Sequence, residues 1–442
     1  MKNVLIYGGG KSGLSAAKLL VQKENRVFVF DDKSLSKERY DDFSSVGAIV
    51  LDELCDDLIS KLDKAVISPG VSLLNENVKK LRQKNVKISG EIELGFSFFD
   101  GIAVAVTGTN GKTTTVTLID EMLRQSGFKS VAAGNIGTPF CDVAEKPGSN
   151  DICVLETSSF QLDTTEKFCP HIAALLNIQA DHIDSHGSME NYVNAKKKIF
   201  ANQSQSDYAV INADDEICLE ISKNLKSKLF LFSVRKKTDG AYLKDGVFYL
   251  FGKPIVSQEE INLKGLHNAQ NILCALTVCG IMGVTAEQMA ATLKSFLPPP
   301  HRMQKVGKIG DVLFVDDSKA TNAAAALPAM ASFEKVSVIL GGSDKNCGFD
   351  ELFKDLPENV RYCVLTGDTQ NKLFESAKKY GFKNLFFAAD FKNAVEIAYH
   401  SAKPDGTVLL SPACASFDCF KNYAERGEKF CEIFRCLKDE KG

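Results

Sequence analysis

The chain is expected to fold as α/β, in three domains built largely on parallel sheets. Short β-branched runs alternate with helical stretches, at Val4–Tyr7, Val27–Phe30, Ala65–Ile67, Ile102–Val106, Ile152–Leu155, Ile172–Leu176 and Tyr208–Ile211. Strands separated by helices pair in parallel, with the helices as crossovers. At 442 residues the chain is also too long for one core. Two joints divide it. Gly90–Gly101 separates one βα series from the next, and Leu297-Pro298-Pro299-Pro300-His301-Arg302 cannot continue the helix before it. New strands follow at Leu313–Val315, Val336–Leu340, Tyr362–Leu365 and Val408–Leu410. The expected domains are therefore 1–91, 92–297 and 298–442.

Composition narrows the function classes. Hydrophobic residues make up 44% and charged residues 25%, which is ordinary for a globular protein. A net charge of −3 gives no basic surface for nucleic acid or an anionic membrane. No stretch approaches the ~18 uninterrupted apolar residues a membrane span needs. Met1-Lys2-Asn3-Val4-Leu5-Ile6 opens into a strand rather than a signal peptide. Thirteen scattered cysteines without a Cys-x-x-Cys pair suggest reduced thiols, a cytoplasmic location and use as small core residues.

In the first domain Gly8-Gly9-Gly10-Lys11-Ser12-Gly13 stands between a strand and the helical run Leu14–Leu20. It fits Gly-x-Gly-x-x-Gly, and Asp31 and Asp32 end the next strand, so by itself this reads as a dinucleotide unit. The motif reports a diphosphate beside a helix N-terminus more firmly than a nicotinamide, and a helix cap without ligand fits it too. Ser68-Pro69-Gly70 follows another strand and would line the same crevice.

The middle domain opens on Thr107-Gly108-Thr109-Asn110-Gly111-Lys112-Thr113-Thr114-Thr115, directly after an apolar strand, with a helix expected from Val116. Backbone amides of such a turn and the positive end of a helix cradle phosphate oxygens. Lys112 adds a point charge for the terminal phosphates and Thr113 a hydroxyl for Mg²⁺. The standard P-loop needs glycine where this chain has Val106, and a glycine turn with an exposed lysine is the competing reading. Glu156 ends the strand Ile152–Leu155, where a second Mg²⁺ anchor belongs, although a surface turn acid would look the same. Asn177-Ile178-Gln179-Ala180-Asp181-His182-Ile183-Asp184-Ser185-His186-Gly187 follows the next strand, and three of the six histidines fall within 171–186. Clustered His and Asp are candidate ligands for a divalent ion, without the spacing of a structural zinc site. Lys196-Lys197-Lys198 reads as a basic helix face, solvated at Lys197 and Lys198. Asn268 and Asn271 open a further apolar helix, where amides read an adenine edge or cap the helix.

Taken together these segments closely resemble the Mur ligases over the whole chain. The resemblance is carried by Thr-Gly-Thr-Asn-Gly-Lys-Thr-Thr at 107–114, Glu-Thr-Ser-Ser-Phe-Gln at 156–161, Asp-His-x-Asp-x-His-Gly at 181–187, Tyr192-x-x-Ala195-Lys196, Gly265-x-His-Asn and His301-Arg302. Asp317-Ser318-Lys319-Ala320-Thr321-Asn322 and Leu410-Ser411-Pro412-Ala413-Cys414-Ala415-Ser416 are most similar to the members that add D-glutamate. The family has the shorter loop, which accounts for Val106. Two departures stand out: Tyr423 replaces an expected Phe, and Gln179-Ala180 replaces a more usual pair before Asp181-His182.

The resemblance implies an ATP-dependent amide-bond ligase of peptidoglycan precursor synthesis, joining D-glutamate to UDP-N-acetylmuramoyl-L-alanine through an acyl phosphate. It implies a Rossmann-like UDP-binding domain, a P-loop ATPase-like central domain and a Rossmann-like C-terminal domain. Gly108, Thr109, Asn110, Gly111, Lys112, Thr113 and Thr114 would hold ATP, with Asn268, Asn271, Arg302 and Asp317 completing the nucleotide site. Lys112, Glu156, His182 and Lys196 would be catalytic. Thr113, Glu156, His182 and a carbamylated Lys196 (N6-carboxylysine) would bind Mg²⁺, one ion or two. Lys11, Ser12, Asp31, Asp32, Ser68, Gly70, Asn135 and Gln161 would meet the UDP-substrate, so the glycine-rich loop binds UDP rather than NAD. Lys319, Thr321, Lys345, Ser416 and Tyr423 would hold D-glutamate, since two lysines and two hydroxyls suit two carboxylates. A monomer is expected, with the last domain swinging about Leu297–Arg302. A sister ligase with another acceptor, an NTPase switch or an NAD dehydrogenase are the alternatives, and the last leaves residues 107–113 unexplained.

Overall fold

The computed structural model describes the chain except residues 146–147, 149–150, 182, 298–299, 344–347 and 442, and the side chains of Asp184 and Lys441. His182, Lys345 and two prolines of the expected hinge, Pro298 and Pro299, therefore lie outside the described residues.

The described chain divides into two compact units, 1–262 with 268–296, and 263–267 with 297–442. In the first unit β1 (Asn3–Tyr7), β2 (Arg26–Phe30), β3 (Ile49–Val50), β4 (Lys64–Ile67) and β5 (Lys87–Gly90) form a parallel sheet in the order β3-β2-β1-β4-β5. Alternation along these strands splits their apolar residues between two cores. Val4, Ile6, Val27, Val29 and Val66 enter one, and Leu5, Tyr7, Phe28, Phe30, Ala65 and Ile67 the other.

A second parallel sheet follows: β6 (Ile102–Thr107), β7 (Ser130–Gly134), β8 (Ile152–Glu156), β9 (Ile172–Leu175), β10 (Tyr208–Asn212) and β11 (Lys228–Phe232), in the order β11-β10-β9-β6-β8-β7. The chain passes from β8 on one side of β6 to β9 on the other. This reversal opens a crevice at the strands' carboxyl ends, where ligands of such sheets bind. A small antiparallel sheet of β12 (Ala241–Lys244), β13 (Val247–Leu250) and β14 (Lys253–Ser257) has no counterpart in the sequence reading.

Glu93 ties the two parallel-sheet regions of this unit together. Its buried carboxylate accepts the backbone amides of Glu166, Lys167 and Phe168 at 3.0, 2.9 and 3.0 Å. Glu93→Ala strands three donors and is expected to lower the unit's stability by about 3 kcal/mol, read as a shift of the first urea transition. An unchanged midpoint would show that water replaces the carboxylate.

The second unit has one sheet of β15 (Gln304–Ile309), β16 (Val312–Asp316), β17 (Val336–Gly341), β18 (Val360–Thr366), β19 (Leu385–Phe387) and β20 (Thr407–Leu410). Its order is β15-β16-β20-β17-β18-β19, parallel except for β15. Among the described cysteines seven are buried, as core residues.

Candidate active site

The phosphate loop follows β6, and its helix starts at Lys112 rather than at Val116, running to Gln125. The hydroxyl residues Thr113, Thr114 and Thr115 therefore lie in the first turn instead of in the loop. Gly111 caps the helix at φ +84° without a side-chain bond, which leaves the first amides free of a capping oxygen. A Cβ at Gly111 would meet Asn271 Oδ1 at 2.2 Å, so only glycine lets the Asn271 amide approach the loop. Asn268 Oδ1 in turn accepts from Asn271 Nδ2 at 3.3 Å.

The segment after β9 fixes the loop's shape. Asn110 N donates to Asn177 Oδ1 at 2.9 Å, Gln179 N donates to Thr109 Oγ1 at 2.9 Å, and Asn110 Nδ2 donates to Gln179 Oε1 at 3.0 Å. The unusual Gln179 is thus a clamp on the loop. Lys112 Nζ donates to Gly108 O and Thr109 O at 2.7 and 2.8 Å. Lys196 Nζ, 1% exposed, donates to the same Gly108 O at 2.9 Å. Burial, reinforced by the charge of Lys112, holds the Lys196 amine well below the usual lysine range. Two amines thus converge on one carbonyl at the mouth of the crevice.

Glu156 ends β8 beside β6 and is buried. Its Oε1 accepts from Asn135 Nδ2 at 2.9 Å, while Oε2 is buried without a partner. A buried carboxylate oxygen left open beside a phosphate cradle is where a hard cation fits. Gln161 is also buried, with Oε1 accepting Ser158 N at 3.0 Å in a capping box.

The other clustered residues separate. His171 stands before β9, at the amino end of the sheet, and its Nδ1 pairs with Asp207 Oδ1 at 3.2 Å. His186 turns Nε2 to Ser159 Oγ at 3.0 Å and is no ligand of the crevice. Lys197 is exposed as expected, but Lys198 donates to Asp163 O and Oδ1, both at 2.8 Å, rather than facing water alone.

In the first sheet Lys11 and Ser12 open the helix Lys11–Gln22. Gly8 at φ +112° lies against Ser68, whose Oγ donates to Gly8 O at 3.0 Å, and Gly70 is exposed. Asp31 accepts Gly9 N and Lys33 N at 2.7 and 2.9 Å, shaping the glycine-rich turn. Asp32 accepts the Tyr7 hydroxyl at 2.7 Å and Asn75 Nδ2 at 3.0 Å. Tyr7 and Asn75 were missed in the sequence; a tyrosine closing the strand before the glycines was their signal.

The second unit brings Arg302, Asp317, Lys319, Thr321, Ser416 and Tyr423 into the loops around β16, β20 and the helix Tyr423–Lys441. Lys319 Nζ stands 3.8 Å over the Tyr423 ring. Arg426, also missed, is buried, and its guanidinium donates to Ser318 Oγ, Ser318 O, Cys414 O and Ala415 O at 2.9, 2.8, 3.0 and 3.2 Å. It thereby builds the loop that carries Ser416. Burial pushes its pKa down to about 10.

Asp317 accepts Ser411 Oγ at 2.8 Å and Met303 N at 3.2 Å. Burial outweighs these bonds and pushes its pKa up to about 7. A raised pKa means that the folded state prefers the protonated carboxyl. That contribution is full below the ordinary value of about 4 and is lost as pH rises through about 7. Asp317→Asn is expected to flatten the fall in melting temperature between those limits. An unchanged pH profile would refute the assignment.

Family models match along the chain: "Mur ligase MurD-like, N-terminal domain" over residues 2–90, "Mur ligase middle domain" over 106–279 and "Mur ligase, glutamate ligase domain" over 301–414. The chain belongs to the Mur ligase family. Relatives called "UDP-N-acetylmuramoylalanine--D-glutamate ligase" include that of Caldanaerobacter subterraneus subsp. tengcongensis, 38% identical over 97% of each chain. That of Geobacillus kaustophilus is 39% identical over 99% of this ligase and 98% of its own length. Among solved structures, MurC from Thermotoga maritima superposes with a TM-score of 0.63 at 19% identity, covering 99% of this ligase and 100% of its own chain. MurF from the same organism, in complex with ADP, gives 0.62 at 18%, covering 94% and 96%. Both show the Mur ligase fold.

Proposed function

We propose that this Mur ligase joins D-glutamate to UDP-N-acetylmuramoyl-L-alanine, splitting ATP to ADP and phosphate. The observation that carries the chemistry is the convergence of Lys112 and Lys196 on Gly108 O beside the open Oε2 of Glu156. The full-length likeness to D-glutamate ligases selects the acceptor.

ATP places its phosphates at the uncapped start of helix Lys112–Gln125, with Lys112 on the terminal group. Asn268 and Asn271 hold the rest of the nucleotide on the first unit. The alanine carboxylate attacks the γ-phosphorus, ADP leaves and an acyl phosphate forms. The D-glutamate amine attacks the acyl carbon, sheds a proton, and phosphate departs with the former carboxylate oxygen. A carboxylate and a triphosphate repel, so Lys112 neutralises charge where it develops. Bound Mg²⁺ supplies further neutralisation, and Thr113, Glu156, His182 and Lys196 would hold it. Lys196 is suited to this role as a carbamate. Its neutral amine adds CO₂, releases a proton and becomes an anion beside Lys112.

We assign residues 1–91 to the UDP-substrate, through Lys11, Ser12, Asp31, Asp32, Ser68 and Gly70, with Asn135 and Gln161 reaching it from the middle domain at 92–297. Residues 298–442 take D-glutamate, through Lys319, Thr321, Lys345, Ser416 and Tyr423. We take the working form to be a monomer in the cytoplasm, where ATP is at hand. Among the described residues no helix is long and apolar enough to cross a membrane. Phosphate release measured with UDP-N-acetylmuramoyl-L-alanine against a panel of D- and L-amino acids tests the reading. Release that requires D-glutamate supports it, and release that requires another amino acid, or none, refutes it.

A further inference from the structure

We propose that His186 is a positioning residue of the ATP site, holding the segment after β8 at a set distance from the segment after β9 through its hydrogen bond to Ser159. The inference rests on the ligase reading above and concerns a contact that this reading does not need.

His186 ends the short helix Ile183–His186, and Ser159 begins the helix Ser159–Asp163. Ser159 Oγ and His186 Nε2 are 3.0 Å apart, and both residues are buried. The imidazole has little room to turn. Phe160 stacks on it at 4.9 Å and 20°, and Tyr192 meets it at 5.3 Å and 60°. Nδ1 lies 3.7 Å from Asp163 Oδ2, while Lys198 holds Asp163 Oδ1 at 2.8 Å. The contacts continue to the phosphate loop, because the Tyr192 hydroxyl is 3.0 Å from Thr109 Oγ1. Ser159, His186, Tyr192 and Thr109 thus form one connected run between the carboxyl-end segments of β8, β9 and β6.

The placement matters for what those segments carry. Glu156 lies on the Ser159 side of the clamp, and Asp181, which precedes the proposed ligand His182 in sequence, on the His186 side. Mg²⁺ demands near-ideal octahedral geometry at short distances, so slack between two ligand-bearing segments costs ion affinity before it costs folding. His186 has no place in the reacting groups; it acts through Ser159.

The test uses Ser159→Ala and His186→Phe, singly and together, in the full chain. Phenylalanine keeps a ring between Phe160 and Tyr192 and removes the nitrogen. Binding of a non-hydrolysable ATP analogue is followed by calorimetry as Mg²⁺ is titrated, with melting curves alongside. Each single change is expected to raise the Mg²⁺ concentration for half-maximal analogue binding about 10-fold. The double variant should go no further than the worse single, since all three lose one contact. Unchanged Mg²⁺ dependence, a fall in melting temperature alone, or effects that multiply in the double variant would overturn the proposal. If His186→Phe does not fold, Ser159→Ala decides, because it removes one hydroxyl and leaves the packing. D-glutamate-dependent phosphate release by the unsubstituted chain tests the ligase reading separately.

Discussion

Lys112→Met is expected to lower kcat by about three orders of magnitude while leaving the melting temperature nearly unchanged. The ammonium is the fixed positive charge of the phosphate loop. Its bonds to Gly108 O and Thr109 O hold it against the loop's own carbonyls. Methionine keeps the length of the stem and removes the charge, so folding has little to lose. The transition state has much to lose, because an attacking carboxylate and the equatorial phosphate oxygens gather charge at one point. Lys112→Arg should not restore the rate, since a planar fork does not reproduce a point charge in so short a loop. Steady-state kinetics and a melting curve check both halves. A loss confined to the KM for ATP would mean that Lys112 only binds.

Lys196→Ala is expected to cost about 10²- to 10³-fold in kcat, and millimolar acetate or propionate should return part of it. The reason is burial. Lys196 is 1% exposed, and its amine sits well below the usual lysine range because desolvation and the Lys112 charge both disfavour the cation. A neutral buried amine is the form that takes up CO₂, and the alanine variant leaves a hole that a small carboxylate can fill. Under ¹³C-labelled CO₂ the unsubstituted chain should show a carbamate resonance that Lys196→Ala lacks. Absence of both rescue and resonance would show that Lys196 works as an amine.

The fold was legible where burial is two-sided. Ile152–Glu156 and Val336–Gly341 are buried at every position, so their sequences are nearly continuous apolar runs, interrupted by Glu156 at the end of one and Ser337 in the other. Edge strands lack that signal: β3 has two residues, and β7 reads Ser-Val-Ala-Ala-Gly with only one fully buried position. The antiparallel sheet left a mark that went unread. Asp245-Gly246 and Phe251-Gly252 both take positive φ, as two-residue hairpin turns require, and Asp-Gly between β-branched or aromatic runs is a known sign of one.

The site was legible at its loop and less so around it. Gly108, Gly111 and Lys112 stand together in sequence, whereas the bond from Lys196 to Gly108 O spans 88 residues and has no local signature. The histidine cluster misled for a geometric reason. His171 and His186 flank β9 at opposite ends, so closeness in sequence did not bring them to one end of the sheet. Arg426 looked like any helix cation, and only the second unit's packing turns it inward onto Ser318 and Cys414.

The account's central claim is that ATP's terminal phosphate passes to a carboxylate before an amine displaces it. Labelling the alanine carboxylate of UDP-N-acetylmuramoyl-L-alanine with ¹⁸O and analysing the inorganic phosphate tests it directly. The account predicts one ¹⁸O atom transferred to phosphate for each amide bond formed with D-glutamate. Phosphate that carries oxygen only from water or ATP would contradict it.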